Sequence, residues 1–203
     1  MIKIKEIECE SVYEVVLSKS KFIAYSFVVN TIEDVDKNLA FLRQKYADAT
    51  HICYAYSIYP SKEKSFDDAE PQGTAGKPIL DCIKKGEYQN VLVAVVRYFG
   101  GIKLGAGGLV RAYSSGASNV LKNSGVKFAD KCKKIHFKLN IADNKYLQSL
   151  ANLNFKKFSY DFKDGISVSA YCKIDEVEIL KEQVMNMLSK VIDFDVENED
   201  YFV

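Results

Sequence analysis

The sequence predicts an α+β protein of two domains. Strand and helix patterns are mixed throughout the first 128 residues, whereas a βαββαβ order of elements follows the lysine-rich stretch Lys131–Lys134. We therefore expect one domain at residues 1–128 and a second at residues 134–203. With 203 residues, of which 48% are hydrophobic, the chain is long enough to bury a core in each domain.

The first domain is predicted to open with two strands and a helix. Ser11–Ser18 and Phe22–Val29 are rich in Val, Tyr and Phe, as strands are. Asn30 or Thr31 then caps a helix that runs to Tyr46, because acidic residues fill its first turn and apolar residues recur at helical spacing.

The remainder of the first domain alternates strands, turns and helices. Proline and glycine mark the ends of these elements, and an apolar run rich in valine indicates a buried strand. The predicted elements are a strand at His51–Tyr59, a long polar turn-rich segment at Ser61–Gly76, a short helix between Pro78 and Gly86, a strand at Val91–Tyr98, and a helix with apolar spacing from Leu109 that closes at Gly125.

The second domain has the element order of the ferredoxin-like βαββαβ sandwich. That scaffold hosts many functions, so it indicates little about activity. The predicted elements are a strand at Ile135–Ile141, a helix from Asp143 to Leu153, strands Phe155–Phe162 and Ile166–Lys173 joined at Asp164-Gly165, a helix at Val177–Ser189 opened by a capping box of Asp175 and Glu178, and a strand at Val191–Val196.

Composition favours a cytoplasmic protein with no membrane contact. The N-terminus lacks the apolar region of a signal peptide, and no stretch approaches the length of a membrane span. The five scattered cysteines form no C-x-x-C pair, which suits reduced thiols. The net charge is +1, so contact with nucleic acid has to rest on a local basic patch.

The most informative stretch is the glycine-rich segment, Arg97–Arg111, which follows a buried strand and opens a helix. Unpaired amide N–H groups and the positive end of the helix dipole favour an anion at such a junction. The alternative is that its glycines only let the helix pack closely on the sheet. The candidate ligand-binding residues for an anion or nucleic acid are Arg97, Gly100, Gly101, Lys103, Gly105, Gly107, Gly108, Arg111 and Lys77.

Two nucleotide-binding motifs do not fit this segment. A Walker-type loop needs Gly-Lys-Ser/Thr at its end, but Ala106 follows Gly105. A dinucleotide fingerprint needs a third glycine where Val110 stands. We therefore expect no nucleotide cofactor, and no other cofactor is indicated.

A second candidate is the acidic loop, Asp67–Pro78, which carries three carboxylates within four residues. These could share a proton, bind a divalent metal, orient the loop by pairing with a lysine or arginine, or simply form a solvated turn. A metal site of histidines and cysteines is not indicated, since the chain has two histidines. We predict that both loops line one face of the first domain. The candidate residues here are Asp67, Asp68, Glu70, Gly73, Thr74 and Gly76.

Four blocks of the first domain resemble the YigZ/IMPACT family, namely Lys19–Ala24, His51–Tyr56, Asp67–Leu80 and Arg97–Tyr113. The family usually has glycine, serine and threonine where this chain has Ala69, Gln72 and Ala106. The resemblance implies a ribosomal-protein-S5-domain-2-like first domain. In the bacterial two-domain branch it implies a ferredoxin-like second domain similar to a domain of elongation factor G.

The resemblance attaches no catalytic activity to the family. Its eukaryotic members regulate translation by competing for an activator of a kinase that acts on an initiation factor. We therefore expect a translation-associated regulatory protein that binds RNA or the ribosome, or a translation-related protein partner. Exposed aromatic residues that could stack on bases are Tyr54, Tyr56, Tyr98 and Phe99.

Two other functions stay open. One is an enzyme acting on a small phosphorylated or otherwise anionic substrate, with Asp67, Asp68 or Glu70 as base or metal ligand. No nucleophile elbow or other readable catalytic constellation accompanies these carboxylates. The other is a protein-interaction module without affinity for RNA.

Overall fold

The computed structural model describes residues 3–163 and 165–203. The chain divides into two compact units, which we call the N-terminal unit, Lys5–Phe128, and the C-terminal unit, Ala129–Val203 together with Lys3 and Ile4. Both units mix helices with a β-sheet, which confirms the α+β class. The first two residues of the predicted first domain, and Asp164 of the predicted hairpin turn, lie outside the described residues.

The N-terminal unit is built on a five-stranded antiparallel sheet in the order β2-β3-β6-β4-β5. A short strand, β1 (Lys3–Glu6), precedes it in the chain. The strands of the sheet are β2 (Ser11–Leu17), β3 (Ser20–Val28), β4 (His51–Ile58), β5 (Lys62–Phe66) and β6 (Val91–Tyr98), and the helices of the unit are α1 (Ile32–Lys45), α2 (Gly76–Lys85) and α3 (Gly105–Asn123).

Helices cover both faces of this sheet. The core on one face includes Val35, Leu39 and Leu42 of α1, whereas Ile79 of α2 and Leu109 of α3 belong to the core on the other face. The central strands β3, β6 and β4 are therefore buried on both faces. This burial explains why the apolar run of β6 is continuous rather than alternating.

The start of α1 confirms one of the two predicted caps. Thr31 and Asp34 form a capping box, in which each side chain accepts the backbone N–H of the other residue at 3.0–3.1 Å. These bonds satisfy amide groups that the first turn of a helix leaves unpaired.

Strand β5 and the start of α3 differ from the predictions for the N-terminal unit. Strand β5 lies inside the segment predicted to be irregular; all five of its residues are exposed, so it lacks the apolar alternation that identifies a strand. Helix α3 begins at Gly105 rather than near Leu109, because three glycines near its start hide the helical pattern.

The C-terminal unit has the strand order of the ferredoxin-like fold. Its helices are α4 (Leu147–Ala151) and α5 (Val177–Leu188), and its strands are β7 (Lys127–Leu139), β8 (Lys157–Asp161), β9 (Ile166–Lys173), β10 (Phe194–Val196) and β11 (Tyr201–Phe202). The four principal strands lie in the order β10-β7-β9-β8, all antiparallel, and β1 and β11 also pair with β7.

Several local predictions in this unit were wrong. Lys131–Lys134, which the predicted domain bounds place at the joint between the two domains, is part of β7, where Lys131 and Lys133 form ion pairs with Asp200. Asn140, not Asp143, caps the turn Ile141–Tyr146 that precedes α4.

The predicted start of α5 and the predicted last strand also differ. A short 3-10 turn precedes α5, and the helix has no side-chain cap, so the predicted capping box of Asp175 and Glu178 is absent. The predicted final strand, Val191–Val196, is shorter in the structure, where it is β10 (Phe194–Val196). Every helix within the described part of the chain is too short or too polar to span a lipid bilayer.

Candidate functional site

The glycine-rich segment ends β6, turns, and becomes the first turns of α3. Gly105, Gly107 and Gly108 belong to the first turn of the helix rather than to the loop, and Gly105 has a φ of +70°, which favours glycine. The N-terminus of α3 has no side-chain cap and no acidic residue in its first turn. Its amide groups and positive dipole end are therefore suited to an external anion.

Gly100 is held against the turn between β2 and β3. A Cβ atom there would lie 2.0 Å from the carbonyl carbon of Lys19. The Gly100 N–H donates to Ser20 Oγ at 3.2 Å, and the Phe99 N–H donates to Thr50 Oγ1 at 2.9 Å. Gly100 thus serves close packing, one of the two roles that the sequence left open for these glycines.

Arg97 lies inside the N-terminal unit and is only 5% exposed. Its Nη1 donates to Glu70 Oε1 at 2.5 Å, and its Nη2 contacts Ser20 Oγ at 3.5 Å. The guanidinium lies between the rings of Phe22 and Phe99, with Cζ 5.4 Å from each ring centroid. Its Nε is buried without an acceptor among the described residues. Arg97 therefore joins the two predicted loops, and its charge is not exposed on the surface.

Glu70 anchors a buried polar network as well as this ion pair. Tyr113 Oη donates to Glu70 Oε1 at 2.7 Å, and Cys53 Sγ lies 3.4 Å from Tyr113 Oη. Burial raises the pKa of Tyr113 above its ordinary value and raises the pKa of the Cys53 thiol to about 12. Both groups are therefore neutral near pH 7, and Cys53 is a poor nucleophile.

Asp67 shapes the acidic loop through its backbone. Oδ1 accepts the N–H groups of Ala75 and Gly76 at 3.0 and 2.8 Å, and Oδ2 accepts the N–H of Gly73 at 2.9 Å. Partial burial raises the pKa of this carboxyl, but the three N–H donors outweigh burial and hold the pKa below its usual value. Thr74 closes the same turn by donating its hydroxyl to Pro71 O at 2.6 Å.

Asp68 ties the acidic loop to β4. Its Oδ2 accepts the Ile52 N–H at 3.1 Å and lies 3.6 Å from His51 Nδ1, which is too far for a hydrogen bond. Asp68 itself has a φ of +54°, in the left-handed region. Each of the three predicted carboxylates thus has a partner within the fold.

A cleft of about 400 Å³ opens where the two loops meet. Glu70 and Pro71 of the acidic loop line it, together with Arg97 and Phe99 of the glycine-rich segment. Thr50, His51, Leu104, Leu109 and the first residues of α3 also line it, and Lys103 lies exposed at the same cleft. The cleft therefore combines a helix N-terminus, cations and apolar surface.

The remaining predicted cations lie elsewhere on the N-terminal unit. Lys77 is exposed on α2, where it pairs with Asp81, and Arg111 is exposed on α3. A second groove of about 430 Å³ runs between these helices and is lined by Lys77, Lys85 and Ser114, among others. Among the described residues, Lys85, Lys103 and Arg111 form no ion pair.

The predicted stacking aromatics divide by exposure. Tyr54 and Tyr56 are buried in the core beneath α1, whereas Phe99 is 45% exposed. Tyr98 is half-buried and donates its hydroxyl to Asp48. Phe99 is therefore the best placed of the four to stack on a ligand.

Sequence reasoning missed the inner members of this site. Ser20 lies on β3, Thr50 just before β4, Cys53 on β4 and Tyr113 on α3, and no local pattern marks them as site residues. No three His, Cys, Asp or Glu side chains in residues 3–163 and 165–203 are grouped so that they could hold a metal ion. The three carboxylates bond to other groups of the same chain and so orient the loop. This is one of the roles that the sequence left open for them.

Known proteins resemble the chain most clearly over its N-terminal unit. It is 42% identical over 116 residues to the IMPACT family member YvyE of Bacillus subtilis, a match that covers 56% of this chain and 54% of that protein. It is 40% identical over 92 residues to Protein IMPACT of Rattus norvegicus, covering 43% of this chain and 29% of the rat protein. The match therefore spans about half the length of the bacterial relative and less of the rat one.

One solved structure, described as the crystal structure of a hypothetical protein, superposes with a TM-score of 0.74. The superposition covers 98% of this chain and 100% of the other, at 22% identity, and supports the fold alone. The Impact N-terminal domain matches residues 18–121, just over half of the 203 residues, and includes both loops of the site. The chain therefore belongs to the IMPACT family.

Proposed function

We propose that the chain is a translation-associated regulatory protein that contacts RNA, free or in the ribosome, through its N-terminal unit. Family membership supports the link with translation, since the first domain resembles the eukaryotic members of the family, which regulate translation. The observation that carries the RNA contact is a set of exposed cations without acidic partners, Lys85, Lys103 and Arg111, on α2, α3 and the loop before α3.

The surface of α2 and α3 is better suited to the phosphate backbone of RNA than to the apolar surface of a protein partner. The groove between the helices carries lysine and serine side chains, which donate hydrogen bonds to phosphate oxygens, and the carboxylate that also lines it, Asp81, is paired with Lys77. Arg111 presents a forked guanidinium nearly two turns along α3 from the uncapped N-terminus. Because the net charge of the whole chain is only +1, this local patch would have to supply the affinity.

The buried pair of Arg97 and Glu70 has a supporting role in this proposal. It fixes the acidic loop against the glycine-rich segment, so that the start of α3 is held in place. Arg97 itself contributes no surface charge, and the outer phosphate contacts are assigned to Lys85, Lys103 and Arg111.

The test is RNA binding by charge-neutralising variants. Arg111→Gln and Lys85→Gln should each weaken the affinity for a single-stranded RNA several-fold and reduce the slope of log K against log salt by about 1. Lys37→Gln is the matched control, because Lys37 is exposed on α1, on the opposite face of the sheet. Fluorescence anisotropy at several salt concentrations and co-sedimentation with ribosomes provide the readouts.

A different result would favour a protein-interaction module. If the chain binds RNA no better than a control protein of equal charge, with no salt slope, the proposal fails. The chain could instead recover one protein partner from lysate, unchanged by nuclease and by Arg111→Gln. That result would assign the N-terminal unit to protein recognition.

A further inference from the structure

We propose that the cleft between the acidic loop and the glycine-rich segment receives the phosphate monoester of a nucleoside. Two sources offer this chemistry, the 5′-phosphate end of an RNA chain and a free mononucleotide. The inference rests on the proposed contact with RNA, since it names the part of the RNA that the cleft receives.

The cleft contains the N-terminus of α3, which favours an anion and has no acidic side chain in its own first turn. Gly105 and Ala106 line it at the N-terminus of a 19-residue helix that has neither a side-chain cap nor an acidic first turn. Lys103 stands exposed beside them and forms no ion pair among the described residues. Amide groups, helix dipole and a lysine together favour a phosphate.

Arg97 supplies an independent observation at the same cleft. The side chain is 6% exposed, and Glu70 occupies only its Nη1. The Nε–H has no acceptor within the described structure, although buried donors are nearly always paired. Arg97 lines the cleft, so a small local movement that uncovers its Nε–H would let a ligand oxygen supply the acceptor that this donor lacks.

The other lining residues determine which group attached to the phosphate the cleft can accept. The Phe99 ring has the Arg97 guanidinium near it, yet the residue is 45% exposed, so a base could stack on the ring. Leu104 and Leu109 add apolar surface. The volume of about 400 Å³ lies in the range of small-molecule sites and suits a single nucleotide rather than a duplex.

Glu70 argues against a simple anion as the occupant. It brings a carboxylate to the cleft whose Oε1 already accepts from Arg97 and Tyr113. A ligand beside it should offer hydrogen-bond donors as well as negative charge. Nucleosides have hydroxyl and amino donors, whereas a fatty acid carboxylate has none.

The decisive variant is Ala106→Glu. Ala106 is exposed at the second position of α3 and lines the cleft. A glutamate there interacts favourably with the helix dipole, so folding should be preserved or improved, while its charge repels a phosphate. Ala106→Gln is the matched control, because it adds a side chain of the same size without the charge.

Binding is measured for four probes: AMP, adenosine, an RNA oligonucleotide with a 5′-phosphate and the same oligonucleotide with a 5′-hydroxyl. We expect AMP to bind at least tenfold more tightly than adenosine, and the 5′-phosphorylated RNA more tightly than the 5′-hydroxyl RNA. Ala106→Glu should lower the affinity for both phosphorylated probes at least tenfold without lowering Tm, and Ala106→Gln should lower it much less.

The outcomes separate this inference from the proposed function. If both RNAs bind equally well, Ala106→Glu changes neither and Arg111→Gln weakens both, the inference is overturned and the RNA contact stands. If AMP binds and Ala106→Glu abolishes its binding while no RNA binds, the inference holds for a free mononucleotide and the RNA contact fails. If none of the probes binds, both fail.

Discussion

Glu70 Oε1 accepts a hydrogen bond from Arg97 Nη1 at 2.5 Å, and both side chains are almost fully buried. Glu70 comes from the acidic loop and Arg97 from the end of β6, 27 positions apart. Burying an ion pair removes two charges from water, so its geometry has to be maintained by further hydrogen bonds. Tyr113 and Ser20 provide them here.

Removing one partner of this pair should therefore destabilise the N-terminal unit strongly. Glu70→Ala leaves the Arg97 charge buried and unpaired, and we expect the free energy of unfolding to fall by about 3–5 kcal/mol. Urea denaturation measures this loss. Glu63→Ala is the control, since Glu63 pairs with Lys84 at 2.9 Å with both side chains partly exposed, and should lose less than about 1 kcal/mol. Equal losses in the two variants would contradict the structural role of the buried pair.

Asp67 should stabilise the acidic loop in a pH-dependent way. Its pKa is lowered in the folded chain, so its stabilising contribution is complete above the unfolded pKa, about 3.9, and is lost as the pH falls through the lower folded value. Asp67→Asn should reduce the free energy of unfolding at pH 7 by about 1–3 kcal/mol, because one N–H loses its acceptor.

The difference between wild type and Asp67→Asn should then shrink as the pH is lowered from 7 to 3, measured by denaturation at each pH. Asp36→Asn is the control on the exposed surface of α1, where a change within about 0.5 kcal/mol is expected. A difference that stays constant with pH would mean that the three backbone donors do not act on an ionised carboxylate.

The cysteines should react in the order of their exposure. Cys9 is exposed, whereas burial protects Cys53 and Cys172 and raises their thiol pKa to about 12 and about 11. Iodoacetamide at pH 7.5, followed by mass spectrometry, should modify Cys9 first in the native chain. All five cysteines should react after unfolding in urea. Rapid native labelling of Cys53 would show that the network of Glu70 and Tyr113 opens in solution.

The sequence predicted those parts of the fold that rest on local patterns. The capping residue of α1, the buried strand β6 and the βαββαβ order follow from periodicity and turn residues that lie close together in the chain. Strand β5 could not be found in this way, because its five exposed residues form a charged sheet edge without an apolar face.

The candidate site was predicted in its loops but not in its interior. Glycines and carboxylates mark Asp67 and Gly100 as unusual, yet the pairing of Arg97 with Glu70 depends on contacts between distant segments. A buried arginine looks the same in sequence as an exposed one. Arg97 lies on the central strand β6, between β3 and β4, and Glu70, Phe22 and Phe99 lie against its side chain, which explains its burial.

Two glycines of the same segment should respond in opposite ways to alanine. At Gly100 a Cβ would lie 2.0 Å from the Lys19 backbone, so Gly100→Ala should force the loop apart and destabilise the chain by more than about 1 kcal/mol. At Gly107 a Cβ would meet only the Arg111 side chain at 3.7 Å. Because Gly107 is helical, Gly107→Ala should stabilise the chain by up to about 1 kcal/mol.

Thermal unfolding of both variants, with RNA binding measured in parallel, separates the two roles proposed for these glycines. A Gly107→Ala variant that is more stable but binds RNA less tightly would show that a ligand approaches the bare backbone of α3. Unchanged binding would show that the missing side chain of Gly107 is not needed for RNA binding. A Gly100→Ala variant as stable as wild type would contradict the close approach of the loop to Lys19.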